Sequence, residues 1–194
     1  LIFTIKFRKN LNKKFNRHIV ISGSARSGTS WLAESISLQR GYRLLFEPDH
    51  PKHVEGAVFL ADQWLKIKES NRHAERHLQL ILRNKLDNNW IAQNSYRKFK
   101  MHLWPFLVKF YIIKLIRCNL SLEYIAQNFK IPIIKIILHP ESVLFSQWRV
   151  KFPWLFDLNR FLSQDDLMQE LIDRTGINPH DSYDQFELLA LRWG

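Results

Sequence analysis

The segment from His18 to Arg40 constrains the fold more than any other. His18-Ile19-Val20-Ile21-Ser22 is a short apolar run of the kind that forms a buried strand. Gly23-Ser24-Ala25-Arg26-Ser27-Gly28 follows as a loop of small residues. Thr29–Arg40 then carries a helical pattern that stops at Gly41, a residue suited to the position just past a helix. A strand that feeds such a loop and then a helix is the context an anion cradle needs. Small residues let the backbone wrap closely, and the free N–H groups of the helix start point at the ligand. The hydroxyls of Ser27, Thr29 and Ser30 can add hydrogen bonds, and Arg26 brings a fixed charge with several donors.

The rest of the chain repeats the alternation. Tyr42–Phe46 reads as a second strand, closed by Glu47-Pro48-Asp49-His50-Pro51. Tyr111–Arg117 and Ile133–Leu138 read as the third and fourth. Helical patterns cover Ser121–Phe129, Glu141–Val150, Leu158–Arg174 and His180–Trp193. Strands alternating with helices predict an α/β fold with a parallel sheet flanked by helices. Glu55 to Phe110 is helical in pattern, with few Gly or Pro, and predicts a helical insertion of two or three helices over the sheet. The 194 residues suffice for one domain, expected over residues 18–194 behind a basic lead-in of residues 1–17. The chain starts at Leu1 and stops at Gly194 inside an amphipathic pattern, so we expect it to be a piece of a longer protein.

A formal net charge of +11 favours polyanions without choosing among nucleotides, nucleic acid, acidic glycans and anionic membrane. The lead-in carries Lys6, Arg8, Lys9, Lys13, Lys14 and Arg17 and no acid, as a solvated arm or a membrane-facing one would. A lone Cys118 excludes an internal disulfide framework and suits a reducing compartment, so a cytoplasmic location, with membrane association open, is the expectation. The histidines lack metal-ligand spacing, and no metal is expected. No apolar run approaches the roughly 20 residues of a membrane span.

The loop has the spacing of the nucleoside-triphosphate motif G-x-x-x-x-G-K-[ST], but Thr29 stands where that motif has Lys. No strand ends in an obvious magnesium-binding Asp. A P-loop phosphotransferase is therefore the second expectation, and a non-catalytic domain binding anions or nucleic acid the third. The first comes from a resemblance. Ser22–Leu32, with Arg26-Ser27-Gly28-Thr29-Ser30 at its centre, is similar to the 5′-phosphosulfate loop of the PAPS-dependent sulfotransferases, most of all the bacterial and carbohydrate-type members. Phe46-Glu47-Pro48 resembles a segment common in the carbohydrate enzymes. Ile136–Ser146 resembles the family segment R-[HD]-P-x-x-V-x-x-S that binds the 3′-phosphate, with Leu138 in place of its Arg and Ser146 kept. Phe186–Trp193 resembles the helix after that site.

The resemblance implies a P-loop-like core and PAPS (3′-phosphoadenosine 5′-phosphosulfate) as co-substrate. It implies transfer of the sulfuryl group to a hydroxyl acceptor: a glycan, lipid, peptide or small alcohol. Ser24, Ala25, Arg26, Ser27, Gly28, Thr29 and Ser30 would hold the 5′ end and Ser146 the 3′-phosphate. Either another cation makes up for the missing Arg, Arg149 three residues past Ser146 being the candidate, or the enzyme is weak or degenerate; a solvent-exposed Arg149 is the other reading. Arg26 would neutralise the leaving phosphate. Glu47 would be the general base, facing the sulfuryl group if its strand neighbours the loop's strand, with Pro48 biasing it to an extended backbone. His50 is the competing base. Trp31 and Leu32 are expected in the core. Arg97–Tyr111 interleaves cations and aromatics; an amphipathic helix with buried aromatics, an acceptor groove and a single-strand nucleic-acid surface would all read this way. In the sulfotransferase reading no nucleic-acid partner is expected, and the sequence leaves the oligomeric state open.

Overall fold

The computed structural model describes residues 2–6, 15, 17–86, 88–95 and 110–193, the first stretch by its backbone. Its strands are β1 (Ile2–Lys6), β2 (Ile19–Gly23), β3 (Tyr42–Phe46), β4 (Phe110–Leu115) and β5 (Ile133–Ile137). They form one sheet in the order β1-β5-β2-β4-β3. The last four run parallel, as expected of an α/β chain. β1 pairs antiparallel with β5, Ile2 opposite Ile137 and Lys6 opposite Ile133, so the sheet is mixed. Residues 2–6 of the basic lead-in thus form a sheet edge. Ile2, Phe3, Thr4 and Ile5 are residue types that suit a strand, and the pairing covers the open side of β5.

The helices are α1 (Thr29–Ser37), α2 (Arg72–Leu82), α3 (Asn89–Ala92), α4 (Leu122–Phe129), α5 (Pro140–Val150), α6 (Asn159–Leu162), α7 (Asp165–Thr175) and α8 (Gln185–Trp193). Local chemistry sets several of their ends. The Asn71 side chain caps α2 by accepting from the Ala74 N–H at 3.0 Å. Pro140 opens α5, where its missing N–H costs nothing. Gly176, at φ 69, ends α7. Within the expected insertion the described helices are α2, α3 and a 3₁₀ turn at Ala57–Phe59. Most of the Arg97–Tyr111 segment, residues 97–109, lies outside the described residues. Among the described residues no helix is long and apolar enough to cross a membrane.

Successive strand residues point to opposite faces, which divides the core in two. Val20, Leu45 and Ile113 pack with Leu78 and Ile81 of α2 and Ile125 of α4. Ile21, Leu44 and Ile112 pack with Ala33 of α1. Burying each large aliphatic side chain contributes roughly 1.5–3 kcal/mol, and strands covered on both faces read as continuous apolar runs. A third cluster, Leu144, Leu155 and Leu189, ties α5 to α8.

The strand order positions the site. From β2 the chain goes out to β3, returns to insert β4 between them, and crosses to β5 on the far side of β2. Connections therefore diverge beside the carboxyl end of β2, and open α/β sheets bind ligands in the crevice at such a point.

Candidate functional site

β2 delivers the loop to that crevice. Gly23 is needed there by close approach: a Cβ would lie 2.7 Å from the Ile136 carbonyl oxygen and 2.7 Å from Ser27 Oγ. Gly28 takes φ 84 at the start of α1 and gives the helix no side-chain cap, and the first turn has no acidic residue. The helix start is left with its donors and its positive partial charge. Ser27 is buried, and its Oγ has no hydrogen-bond partner among the described residues. A buried hydroxyl without a partner calls for a polar ligand or water. Thr29 is buried, Ser24, Ala25 and Ser30 are half-buried, and Gly28 and Arg26 are exposed.

Two contacts join the loop to α5. Arg26, at φ 70, donates from Nε to Ser146 Oγ at 3.1 Å, and Gln147 Nε2 donates to the Ala25 carbonyl at 2.9 Å. The phosphosulfate-like loop and the segment resembling a 3′-phosphate site therefore meet. Arg26 is the cation beside Ser146. Arg149 is exposed and makes no ion pair with another described residue. Leu138 is half-buried and packs against the Ile21–Ile112 cluster.

Two expectations about Glu47 are corrected. β3 and β2 are not neighbours, because β4 lies between them, with Lys114 in register with both Ile21 and Phe46. Glu47 is not extended either; it takes φ 41. Such a backbone costs about 1–3 kcal/mol and persists only where its surroundings over-determine it. Two ion pairs do so here: Glu47 Oε1 accepts from Lys114 Nζ at 2.5 Å and Oε2 from Arg117 at 3.2 Å, all three side chains being buried. Asp49, fully buried, accepts the backbone N–H groups of Ile116 and Arg117 at 2.9 and 2.6 Å and so fixes the turn after β4. Burial pushes its carboxyl up to about 6, against the pull of Arg117. His50 packs on Trp90 and His53. Burial, followed by the charge of Arg117, lowers its ring to about 4, so it is neutral at pH 7.

A cleft of about 220 Å³ runs from the loop to α8, lined among others by Ser24, Ser27, Arg117, Asn119, Leu138 and Arg192. Asn119 Oδ1 accepts from Ser22 Oγ at 2.9 Å and braces the loop from the β4 side. Arg192 pairs with Asp62 at 2.8 Å. Arg117 and Asn119 belong to no motif, and Arg192 lies in the Phe186–Trp193 segment without having been singled out; sequence reasoning missed all three as site residues. The one available signal was Lys114 and Arg117 inside the apolar run Tyr111–Arg117, since a cation there must find a buried partner. Trp31, expected in the core, is 72 % exposed, because α1 turns the opposite side, Ala33, to the sheet. Leu32 does pack against the core. Comparison with protein-family models, curated proteins and solved structures finds no match for the chain.

Proposed function

We propose that the chain is a sulfotransferase that moves the sulfuryl group of PAPS to a hydroxyl acceptor, with a P-loop-like core. The observation that carries this reading is the Arg26–Ser146 contact at 3.1 Å, which joins two segments that separately resemble the 5′ and 3′ ends of one nucleotide site. The unpartnered Ser27 hydroxyl and the uncapped start of α1 add to it. In the phosphotransferase reading a Lys would stand at position 29; Thr29 is there and is buried.

In this mechanism the loop N–H groups and hydroxyls hold the phosphosulfate. The acceptor oxygen forms a bond to sulfur as the bond from sulfur to the 5′-phosphate oxygen breaks, and that oxygen leaves with the electron pair. Arg26 and the start of α1 meet the charge on the leaving phosphate; catalysis is positioning plus electrostatic stabilisation. Neither expected base for the hydroxyl proton lines the cleft; of the two, we propose His50 on its charge state. Both carboxylate oxygens of Glu47 are already engaged by cations. His50 is neutral, and an anion bound near Arg117 would offset the charge that depresses the ring, making it more basic when substrate is present.

Thermal unfolding with three ligands tests the reading: adenosine 3′,5′-bisphosphate, ATP–magnesium and a single-stranded oligonucleotide. A specific ligand at 100 times its Kd adds about 2.7 kcal/mol, roughly 5–10 °C for a chain of this size. The bisphosphate alone should give that shift. An equal shift with ATP–magnesium, or a shift with the oligonucleotide only, rejects the assignment.

A further inference from the structure

Between the loop and Glu47 stand two buried cations of β4 and its following turn, and only one of them reaches the cleft. Arg117 lines it with Ser24, Ser27 and Asn119, whereas Lys114 and Glu47 do not. Three independent contacts fix Arg117. Its backbone N–H is held by Asp49 at 2.6 Å, one guanidinium nitrogen by Glu47 at 3.2 Å, and the guanidinium lies 4.3 Å from the centre of the Trp154 ring. A guanidinium has five N–H donors. The hydrogen bond to Glu47 uses one of them, and among the described residues no other side chain accepts from the rest.

The neighbouring guanidinium makes the contrast clear. Arg192 stacks on the same Trp154 at 5.0 Å, but it is matched by Asp62 and also donates to the Asp157 carbonyl. Arg117 instead shares its carboxylate with Lys114. Two cations share the one Glu47 carboxylate, and Arg117 is the member at the cleft wall. Asp49, the other nearby carboxylate, faces the backbone N–H groups of the turn.

We propose that Arg117 is an anion-binding cation of the cleft, additional to Arg26 of the loop, taking a sulfate- or phosphate-ester oxygen on its guanidinium, and that Glu47 is a positioning residue acting through it. This rests on the sulfotransferase reading only for the identity of the ester. The anion role itself follows from the cleft. A carboxylate that aims a guanidinium accounts for the left-handed backbone of Glu47 and for the engagement of both its oxygens, neither of which a general base requires.

Calorimetry with inorganic pyrophosphate, and in parallel with adenosine 3′,5′-bisphosphate, tests it on Arg117→Ala, Arg117→Lys, Glu47→Gln and the double variant Glu47→Gln/Arg117→Ala. Loss of a charged hydrogen bond should weaken pyrophosphate about tenfold to a hundredfold in Arg117→Ala. Glu47→Gln should approach the same loss, and the double variant should be no weaker than Arg117→Ala, because the two act as one unit. Millimolar guanidinium ion should restore part of the affinity of Arg117→Ala, which a merely structural role would not allow. Wild-type pyrophosphate affinity in Arg117→Ala overturns the proposal; if that variant does not fold, wild-type affinity in Arg117→Lys does so. Wild-type affinity with lost turnover in Glu47→Gln returns Glu47 to the role of base and overturns its positioning role. The expected pyrophosphate losses without preference for the bisphosphate over ATP–magnesium would uphold Arg117 and reject the sulfotransferase reading instead.

Discussion

Arg26 and Ser146, 120 residues apart in the chain, meet at 3.1 Å where the loop touches α5. The contact is exposed, so it adds little to stability, on the order of 0–1 kcal/mol. Its value would lie in binding. Ser146→Ala should unfold within about 1 kcal/mol of the wild type. It should bind adenosine 3′,5′-bisphosphate about tenfold more weakly, with adenosine 5′-phosphosulfate, which lacks the 3′-phosphate, nearly unaffected. Calorimetry on both nucleotides reads the difference, and an unchanged bisphosphate affinity removes Ser146 from the site.

Arg26 itself should show the opposite balance of rate and stability. An exposed side chain of this kind changes stability by no more than about 0.5 kcal/mol when truncated. A donor aimed at developing charge contributes about 10²–10³-fold in rate. Arg26→Ala should therefore lose about that much in kcat with its melting temperature unchanged. Full activity in this variant means another group meets the leaving phosphate.

The assignment of the proton to His50 makes a claim about pH. The dependence of kcat/KM reports the free enzyme, and that of kcat the bound complex. His50 lies at about 4 in the free protein, held down first by burial and then by Arg117. The acid limb of kcat/KM should fall near pH 4, and that of kcat at higher pH, once an anion offsets Arg117. His50→Ala should lose about 10²–10⁴-fold in rate and with it the acid limb. A limb that survives His50→Ala belongs to another group.

Asp49 should leave its mark on stability. Burial raises its carboxyl to about 6 from 3.8, so the folded protein holds that proton more tightly than the unfolded chain. The favourable contribution is complete below the unfolded value and is lost as pH rises through about 6. The loss is on the order of 3 kcal/mol by pH 7.5. Asp49→Asn keeps the shape without the charge. Its urea midpoint, compared with that of the wild type, should thus improve between pH 3.5 and pH 7.5. A difference that does not vary with pH would mean that Asp49 does not titrate in this window.

Much of this architecture was legible because local chemistry and the global fold agree. Gly23 and Gly28 mark the loop in the sequence by the same small size that lets Ile136 approach and α1 begin. Tyr42–Phe46 is a strand of the sheet with the bounds its apolar run suggested. The order of strands was not legible, since insertion of β4 between β2 and β3 depends on tertiary packing and leaves no trace in either strand's own pattern. The expected adjacency of the two strands, on which the facing of Glu47 and the loop was argued, failed for that reason. Lys114 stood in plain view in an apolar run, but its partner lies 67 residues away, beyond any local periodicity. Trp31 shows the converse. Its apolar character suggested burial, yet its place on α1 faces away from the sheet.

The antiparallel pairing of Ile2–Lys6 with β5 bears on how the molecule can be handled. Without those residues, β5 would offer a row of unpaired backbone donors and acceptors along an isoleucine-rich strand, Ile133-Ile134-Lys135-Ile136-Ile137. A bare edge of this composition is a template for strand addition by another molecule. A version lacking residues 1–17 should keep its parallel core yet sediment as concentration-dependent assemblies. Ile2–Lys6 would thus guard against self-association, a duty separate from any chemistry in the cleft.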